Sequence, residues 1–372
     1  MNEPLKLKGF ESCMLLINPT RYPQYVKMLK RMLKKTEIPL VIESRSKTHF
    51  IDSVHQFHQG DFKYLLVWGG DGTAHDAINA FMSTKPEIKT TIKKSIGFLR
   101  GGSGNGIQDS YEVPFSLRRQ LYSFAESMAN NFTIDVDLLK VRQDQQIFYS
   151  QLVGFGFDAQ VLSLRNIQKT LREGNIKSGL LNYAASAVAA FIKNDLKTGP
   201  AYILDLHHGK YALRGTRTNA EFPIDSLRLT VDSPMIEVGT RPYYGKLFKI
   251  CPDVVCNDGY MDLYLFNFES KMAIAGNIIA LWNGRHDKIN QRFAKKDKLL
   301  IQRFEIKQLE LHAGAPFDFH IDGEFKTAAT SENGLYSIFI EVVPQAIPFI
   351  VPKTFYRKFH PFDKGKSNQE GI

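Results

Sequence analysis

Residues Tyr64–Thr73 read YLLVWGGDGT, and this stretch decides the fold of the first third of the chain. Five apolar residues predict a buried β-strand, and a glycine-rich loop follows the strand directly. Glycines let backbone N–H groups approach a polyphosphate closely, and the helix that follows would direct its positive N-terminal end at the same anion. Asp71 adds a carboxylate, which is favourable there only if a cation such as Mg²⁺ lies between the two charges. The loop residues expected to contact phosphate are Gly69, Gly70, Gly72 and Thr73.

A second glycine-rich loop, Gly101–Gly106 (GGSGNG), follows the next predicted strand, Ser95–Leu99. Successive strands of a parallel sheet end at the same edge, so both loops would face one crevice. The pair favours a nucleotide cleft, with Ser103, Gly104 and Asn105 in the second loop, over glycine-rich turns that bind nothing. The sequence has no Walker A loop. No G-x-G-x-x-G follows the first strand, which disfavours a dinucleotide dehydrogenase.

Strands and helices alternate through the first third of the chain, which predicts a parallel sheet covered by helices on both faces. In the first helix, Tyr25, Met28, Leu29, Met32 and Leu33 fall on one face, which we expect to be buried. The predicted strands are Cys13–Asn18, Pro39–Ser44, Tyr64–Trp68 and Ser95–Leu99, and the predicted helices are Tyr22–Lys35, Thr48–Phe57, Ala74–Met82 and Pro114–Met128.

After about Phe132 the pattern changes to alternating polar and apolar residues, which suits a largely antiparallel sandwich. Helical stretches interrupt it at Leu162–Lys193 and Lys271–Gly284. The predicted fold class is therefore a two-domain α/β plus β-sandwich protein, with domains at 1–132 and 133–351. The predicted strands of the second domain are Phe132–Val141, Ile147–Phe157, Ala201–His207, Leu227–Val231, Leu247–Ile250, Met261–Phe266, Leu299–Leu311, Phe317–Ile321 and Tyr336–Val342.

Composition narrows the class of protein without choosing a function. With 43% hydrophobic and 23% charged residues, the chain of 372 residues is expected to pack and not to be disordered. Three cysteines cannot form a disulfide framework, and no secretory segment or membrane span is predicted, so a reduced, cytoplasmic setting fits. The net charge of +10 favours nucleic acid, nucleotides or an anionic membrane face, unless it is only a solvated surface. Likewise, the basic stretch Arg285–Lys298 is either an ordinary charged loop or a contact for acidic head groups.

Further motifs follow one another in a fixed order along the chain. Besides GGDGT and GGSGN, they are Asn18-Pro19, Ser44–His49, Gly154–Ala159 (GFGFDA), Asn257–Asp262 (NDGYMD) and Asp322–Glu324 (DGE). Together they resemble the diacylglycerol kinase catalytic-domain family, which includes sphingosine kinases and bacterial lipid kinases. The resemblance runs from about residue 13 to 352. It implies an ATP-binding α/β domain that residues 352–372 complete, a β-sandwich domain, an ATP cleft between them, and Mg²⁺-dependent phosphorylation of a lipid hydroxyl.

The resemblance also implies residue roles. Glu324 of D-G-E would accept the proton of the lipid hydroxyl, although a plain hairpin turn is the alternative for this segment. Asp71 would hold Mg²⁺ or would itself be the base. The implied ATP contacts are Asn18, Ser44, the two glycine loops and Lys177, although a solvated helix face is the alternative for Lys177. A structural Mg²⁺ would be held by Asp258 with the backbone oxygens of Val255 and Tyr260, although a tight turn is the alternative for that segment.

Three departures from the family pattern affect the details of phosphate contact. Thr20-Arg21-Tyr22 replaces the x-S-G of the first loop, Arg100 replaces a proline, and Asp76 replaces a glutamate on the helix after GGDGT. They leave the implied reaction class unchanged.

The implied partners are a membrane lipid substrate and, through peripheral contact, an anionic membrane surface, with no nucleic acid. Diacylglycerol, sphingosine-like bases, ceramide and phosphatidylglycerol all stay open as the lipid, and so does the oligomeric state, including a homodimer. An NAD kinase shares GGDGT but would carry a different second loop than GGSGN. A catalytically degenerate ATP- or lipid-binding protein is disfavoured because both Asp71 and Glu324 are present.

Overall fold

The structure, a computed structural model, describes residues 9–19, 23–34, 36–83, 92–157, 159, 200–213, 222–245, 247–294, 299–330 and 334–363. The chain divides into two compact units. The first unit is Met1–Val136 with Gln345–Ile372, and the second unit is Asp137–Pro344. The predicted helix Leu162–Lys193 lies outside the described residues. Each unit is considered by itself below.

The first unit contains a parallel sheet in the strand order β2-β1-β3-β4. Its core packs Leu15, Leu66 and Leu99 from the strands against Leu121 and Phe124. The parallel α/β architecture confirms the prediction for this part of the chain. The strands are β1 Cys13–Ile17, β2 Leu40–Glu43, β3 Tyr64–Gly69 and β4 Ser95–Arg100, and the helices are α1 Pro23–Leu33, α2 Lys47–Gln59, α3 Asp71–Ser83, α4 Gly106–Ser110 and α5 Leu117–Asn130.

The buried face of α1 matches the predicted one only in part. The predicted residues that are buried or pack against the core are Leu29, Met32 and Leu33. Tyr25 is 50% exposed and Met28 is 45% exposed, so the prediction was wrong for these two residues. Val26, which the prediction left out, is buried instead.

The second unit is built mainly from antiparallel strands, which confirms the predicted β-sandwich-like class. Its main sheet runs in the order β17-β16-β7-β10-β13-β14-β8-β15-β18, and its core includes Phe155, Val238, Leu263, Phe304 and Leu311. The strands are β5 Thr133–Gln143, β6 Gln146–Ser150, β7 Leu152–Gly156, β8 Tyr202–Leu213, β9 Phe222–Val231, β10 Met235–Gly239, β11 Tyr243–Gly245, β12 Phe248–Lys249, β13 Met261–Phe266, β14 Ile301–Ile306, β15 Gln308–Ala313, β16 Asp318–Ile321, β17 Glu324–Thr327 and β18 Tyr336–Ile350.

Helices α6 (Lys271–Trp282) and α7 (His286–Ala294) belong to the second unit. The basic stretch that begins at Arg285 therefore contains a helix, and the prediction of a charged loop was wrong for α7. Buried Ile289 and Asn290 anchor it to the core, and its charged residues occupy the other positions. Among the described helices, none combines the length and the apolar character that a membrane crossing requires.

Two predicted strands are each divided in the structure. Ile147–Phe157 breaks at Gln151, whose backbone N–H donates to the Asp322 carboxylate, and Leu299–Leu311 breaks at Lys307. In contrast, β18 continues beyond the predicted end at Val342 and includes Pro344 and Pro348. Its last residues lie in the first unit, where Phe349 pairs with Ile96 of β4 in parallel.

The end of the chain contributes α8 (Lys353–Phe359) to the first unit. The Val351 N–H donates to the Phe132 carbonyl, and the Ser127 hydroxyl donates to the Val351 carbonyl at 2.7 Å. The Tyr356 and Phe132 rings stack with their centroids 4.7 Å apart. These contacts complete the core of the first unit beside the end of α5.

Candidate active site

The two glycine-rich loops lie side by side at the carboxyl ends of β3 and β4. The Gly101 N–H donates to the Gly69 carbonyl at 2.8 Å. A Cβ built on Gly70 would fall 2.9 Å from the Cα of Gly102, closer than the 3.0 Å that real Cβ atoms keep. The backbones of the loops therefore touch directly, which only glycine at both positions permits.

Asp71 joins the first loop to the second. It is the first residue of α3, and its Oδ1 accepts hydrogen bonds from the backbone N–H groups of Gly106 at 2.6 Å and Ile107 at 3.3 Å. Its Oδ2 faces the Cα of Gly104, where any Cβ would collide with it. Both acceptor positions of Oδ1 are therefore filled, and the loop is shaped around the carboxylate.

Asn18 and Thr73 connect the end of β1 to the same loop. The Asn18 side-chain amide donates to the Thr73 hydroxyl at 3.0 Å, and the Asn18 backbone N–H donates to the Trp68 carbonyl. The Thr73 side chain covers Gly69, where a Cβ would leave it no room. Ser44 lies at the next strand end, and its N–H donates to the Ile17 carbonyl at 2.9 Å. The structure thus places Asn18, Ser44 and the first loop at one edge of the sheet.

Asn105 closes the second loop on itself. It adopts the left-handed conformation (φ 61°), its Oδ1 accepts the Gly102 N–H at 3.1 Å, and its Nδ2 donates to the Gly102 carbonyl at 2.8 Å. Ser103 and Gly104 form the bend between these two residues. The side chain of Asn105 therefore fixes the loop shape, a role that the sequence pattern did not indicate.

Two residues that sequence reasoning missed or misjudged support this edge. Buried Gln108 donates from its side-chain amide to the carbonyls of Gly69 and Leu99, and so ties β3 to β4. Arg100, the departure from a family proline, is nearly buried, pairs with Asp109 at 2.6 Å and donates to the Val113 carbonyl. Arg100 therefore holds the segment that follows the loop. Gln108 could not be recognised from a sequence motif, because its partners are backbone carbonyls, which every residue has.

The remaining residues singled out in the sequence for contact with phosphate fall into two groups. Asp76 forms an ion pair with Lys47 at 2.8 Å between α3 and α2, with the lysine largely exposed. Its departure from glutamate thus concerns a surface contact. Lys177, Asp158 and the segment 20–22 lie outside the described residues.

The D-G-E segment forms the turn between β16 and β17 in the second unit. Asp322 (φ 49°) and Gly323 (φ 84°) both have positive φ, as a two-residue hairpin turn of type I′ requires. Buried Asp322 accepts hydrogen bonds from Arg241 Nη2 at 3.3 Å and from the Gln151 N–H at 3.2 Å. The segment is therefore a hairpin whose first residue is anchored in the interior. Glu324 follows it as the first, half-buried residue of β17.

A buried polar row lies beneath this turn on three neighbouring strands. His320 of β16 and Glu237 of β10 both pair with Gly154 of β7, and His320 Nε2 lies 3.8 Å from Glu237 Oε1. A Cβ on Gly154 would collide with both side chains. The Gly323 N–H approaches His320 Nδ1 at 3.4 Å, and Nε2 of the same ring faces Glu237. Gly154 belonged to a recognised motif, but its two neighbours did not.

The N-D-G segment forms a turn held by two carboxylates. The Gly259 N–H (φ 78°) donates to Asp137 Oδ2 at 2.7 Å, and the Tyr260 N–H donates to Asp258 Oδ1 at 3.0 Å. Burial raises the pKa of Asp258, and the hydrogen bond from Tyr260 opposes that effect. Asp137 is fully buried and was missed, because its segment reads as an ordinary strand.

The fit of this turn to a divalent cation depends on oxygen donors alone. In the described part of the chain, no three or more His, Cys, Asp and Glu side chains form a metal-type group. The expected donors are instead one carboxylate, Asp258, with the carbonyl oxygens of Val255 and Tyr260, a hard-oxygen set of the kind that Mg²⁺ accepts. The Asp258 carboxylate, whose pKa is raised by partial burial, would be stabilised in its charged form by such an ion.

Family comparison agrees with this architecture. The diacylglycerol kinase catalytic domain matches residues 12–141, and the YegS C-terminal NAD kinase beta sandwich-like domain matches residues 151–351. The chain belongs to the diacylglycerol kinase catalytic-domain family, in the form that carries this second domain. The resemblance drawn from the ordered motifs is thereby confirmed.

Relatives at low identity align with most of this chain. A protein of Staphylococcus aureus strain JH9 named "Putative lipid kinase" is 23% identical over 290 residues, covering 78% of this chain and 77% of its own. A protein of the same name from strain Newman is 22% identical over the same length. A crystal structure described as a "putative diacylglycerol kinase" from Bacillus anthracis strain Sterne superposes with a TM-score of 0.59 at 14% identity, covering 93% of this chain and 99% of that one. That likeness shows the fold.

Proposed function

We propose that this protein is an ATP-dependent lipid kinase that transfers the γ-phosphate of ATP to a hydroxyl group of a membrane lipid. The observation that carries the proposal is the pair of interlocked glycine loops joined by Asp71. Their setting adds support, because the family model is that of a kinase domain and the relatives bear the name of lipid kinases. Two adjacent glycine loops with a nearby carboxylate suit phosphoryl transfer, because that reaction is catalysed mainly by positioning the reactants and neutralising their charge.

We assign nucleotide binding to the edge formed by Asn18, Ser44, Gly69–Thr73 and Gly101–Gly106, with Lys177 as a further phosphate contact. Mg²⁺ bound with the nucleotide would neutralise charge on the β- and γ-phosphate oxygens. Asp71 would hold that ion. A second, structural Mg²⁺ is assigned to Asp258 with the backbone oxygens of Val255 and Tyr260.

We assign the general base to Glu324 in preference to Asp71. Oδ1 of Asp71 already accepts two backbone N–H groups, and the same carboxylate is assigned to Mg²⁺. Glu324, by contrast, is partly exposed at the start of β17. It follows a turn in which the Asp322 carboxylate accepts hydrogen bonds from Arg241 and from the Gln151 N–H. A carboxylate so placed can take the hydroxyl proton as the new P–O bond forms, a contribution worth about 10²–10⁴-fold in rate.

The test is transfer of label from ATP marked at the γ-phosphate, with Mg²⁺ present. Diacylglycerol, a sphingosine-like base, ceramide and phosphatidylglycerol are offered in mixed micelles, and NAD is offered in solution. We expect label in one lipid and none in NAD, and chelation of Mg²⁺ should abolish it. Label in NAD alone would identify an NAD kinase, and ATP binding without transfer to any acceptor would identify a degenerate binding protein; either result contradicts the proposal.

A further inference from the structure

Helix α6 turns an apolar face towards solvent. Met272 is 78% exposed and Ile279 is 75% exposed, and between them Ala275 and Gly276 are also exposed. These four residues follow the i, i+3, i+4, i+7 spacing of one helix face. A helix that packs on one side only would normally carry polar residues at these positions. Their apolar character therefore requires an explanation other than folding of the unit.

The side of α6 that faces the protein makes the contrast sharper. Asn277 is buried there, its amide nitrogen donates to the Ala273 carbonyl at 2.8 Å, and its oxygen accepts a hydrogen bond from Arg292 at 3.0 Å. The polar Asn277 thus lies inside and is hydrogen-bonded, while the apolar Met272 and Ile279 lie outside. Nothing in the described chain comes within 4 Å of a Cβ built on Gly276, so the space above this face is open.

Positive charge lies at the C-terminal end of the same helix. The Arg285 N–H donates to the Ala280 carbonyl at 2.8 Å, which places Arg285 at the end of α6, and Lys288 follows in the first turn of α7. Both are exposed, and Lys249 packs where a Cβ of Gly284 would lie. Asp287 is the acidic neighbour on α7, so the cations outnumber it here, in a chain with a net charge of +10.

We propose that α6 is a membrane-docking helix. The face Met272–Ile279 would enter the boundary between head groups and acyl chains, and Arg285 and Lys288 would contact anionic head groups. Apolar area combined with adjacent positive charge is the combination that binds anionic bilayers, whereas a second protein copy with the same positive end would be repelled there. The inference deepens the proposed function, since a lipid kinase must reach its substrate at a bilayer surface.

Vesicle binding tests the docking surface directly. Wild-type protein and the variant Met272→Glu/Ile279→Glu are sedimented with vesicles of phosphatidylcholine and phosphatidylglycerol, and with vesicles of phosphatidylcholine alone. We expect the wild type to prefer the anionic vesicles and the variant to bind them at least tenfold more weakly. Arg285→Gln/Lys288→Gln should lose roughly fivefold for each charge removed. Ile147→Glu, at a residue 50% exposed on β6, is the matched control and should bind like the wild type.

Additional measurements keep folding and catalysis separate from docking. Circular dichroism and thermal unfolding check that each variant folds, and Ile279→Ser repeats the test without adding a charge. Phosphorylation of a short-chain lipid dissolved as monomers needs no bilayer, so the α6 variants should retain it. If the wild type binds vesicles through α6 yet phosphorylates no lipid, the docking surface stands and the proposed function falls.

Two outcomes would overturn the docking surface. One is variant binding to anionic vesicles as tight as that of the wild type. The other is light scattering that shows a wild-type dimer and a monomeric Met272→Glu/Ile279→Glu variant, which would assign this face to a second copy of the chain.

Discussion

At the scale of single residues, the position of Asp71 gives its carboxylate two tasks. Its Oδ1 accepts two backbone N–H groups at the start of α4, and the same side chain is assigned to hold Mg²⁺. Asp71→Asn keeps an oxygen acceptor for the N–H groups but removes the negative charge. We expect the fold to survive, with a loss of about 1 kcal/mol or less in the free energy of unfolding, and Mg²⁺-dependent phosphate transfer to disappear.

Paired measurements of transfer and unfolding test this prediction. Asp76→Asn serves as the control, because Asp76 lies on the same helix and pairs only across the surface with Lys47. Near-normal turnover of Asp71→Asn would refute the role of Asp71 in holding the ion.

Glu324 is the residue on which the chemistry depends. Glu324→Gln keeps the size and the hydrogen-bonding capacity of the side chain but removes its basic oxygen. We expect ATP to bind as in the wild type, while lipid phosphorylation falls by about 10²-fold or more. Glu310→Gln, a change at an exposed carboxylate on β15, should have no such effect. A loss of only a few fold, with the chemical step shown to limit the rate, would move the base to Asp71.

At the scale of elements, Gly154 is the point where three strands meet in the second unit. Its missing side chain gives His320 and Glu237 their space in the buried row beneath the turn. Gly154→Ala should therefore force these side chains or the strands apart and lower the free energy of unfolding by about 1–3 kcal/mol. Urea unfolding measures this, with Gly314→Ala as the control, because a Cβ there meets nothing within 4 Å. Equal stability of the two variants would show that the row is not tightly packed.

Elements with a regular pattern could be predicted from the sequence, and so could loops with glycine motifs. The parallel strands of the first unit are continuous apolar runs, and the loops after β3 and β4 carry glycines that the close approach of Gly70 and Gly102 requires. The breaks at Gln151 and Lys307 could not be predicted, because the partner of the Gln151 N–H is Asp322, 171 residues away.

Supporting side chains of the candidate site were hidden for the same reason. Gln108 donates to backbone carbonyls, Arg241 pairs with Asp322, and His320 meets Glu237 only once three strands are aligned. Asp322 lies 81 residues from Arg241 in the sequence, so no local spacing rule could reveal this pair. The sequence predicted Asn105 as a nucleotide contact in the second loop. In the structure its side chain hydrogen-bonds to Gly102 and so fixes the shape of that loop.

At the scale of the whole molecule, two histidines make stability depend on pH. Burial lowers the pKa of His58 in the first unit to about 4, with Lys94 and His55 adding to the effect, and burial lowers the pKa of His286 in the second unit to about 4. Unfolded histidine titrates near 6.5, so below that pH the unfolded chain binds protons that the folded chain does not bind. The free energy of unfolding should therefore fall as pH decreases from 6.5 to 4, by at most about 1.4 kcal/mol per pH unit for each histidine.

Urea unfolding at pH 7 and pH 5 checks this expectation. His58→Gln and His286→Gln should each reduce the loss of stability between the two pH values. Comparison with the wild type removes the contribution of carboxylates that titrate in the same range. If both variants lose as much stability between pH 7 and pH 5 as the wild type does, these histidines do not cause the pH dependence.

The central claim is that the whole chain phosphorylates a lipid hydroxyl, and the identity of the product tests it most directly. Purified protein is given ATP, Mg²⁺ and the panel lipid that takes up label, and the lipid fraction is analysed by mass spectrometry while ADP is quantified. The account predicts a lipid phosphate monoester formed in equal amount to ADP, and neither product from Asp71→Asn. ADP that accumulates without a lipid phosphate, or phosphate recovered on NAD instead, would contradict it.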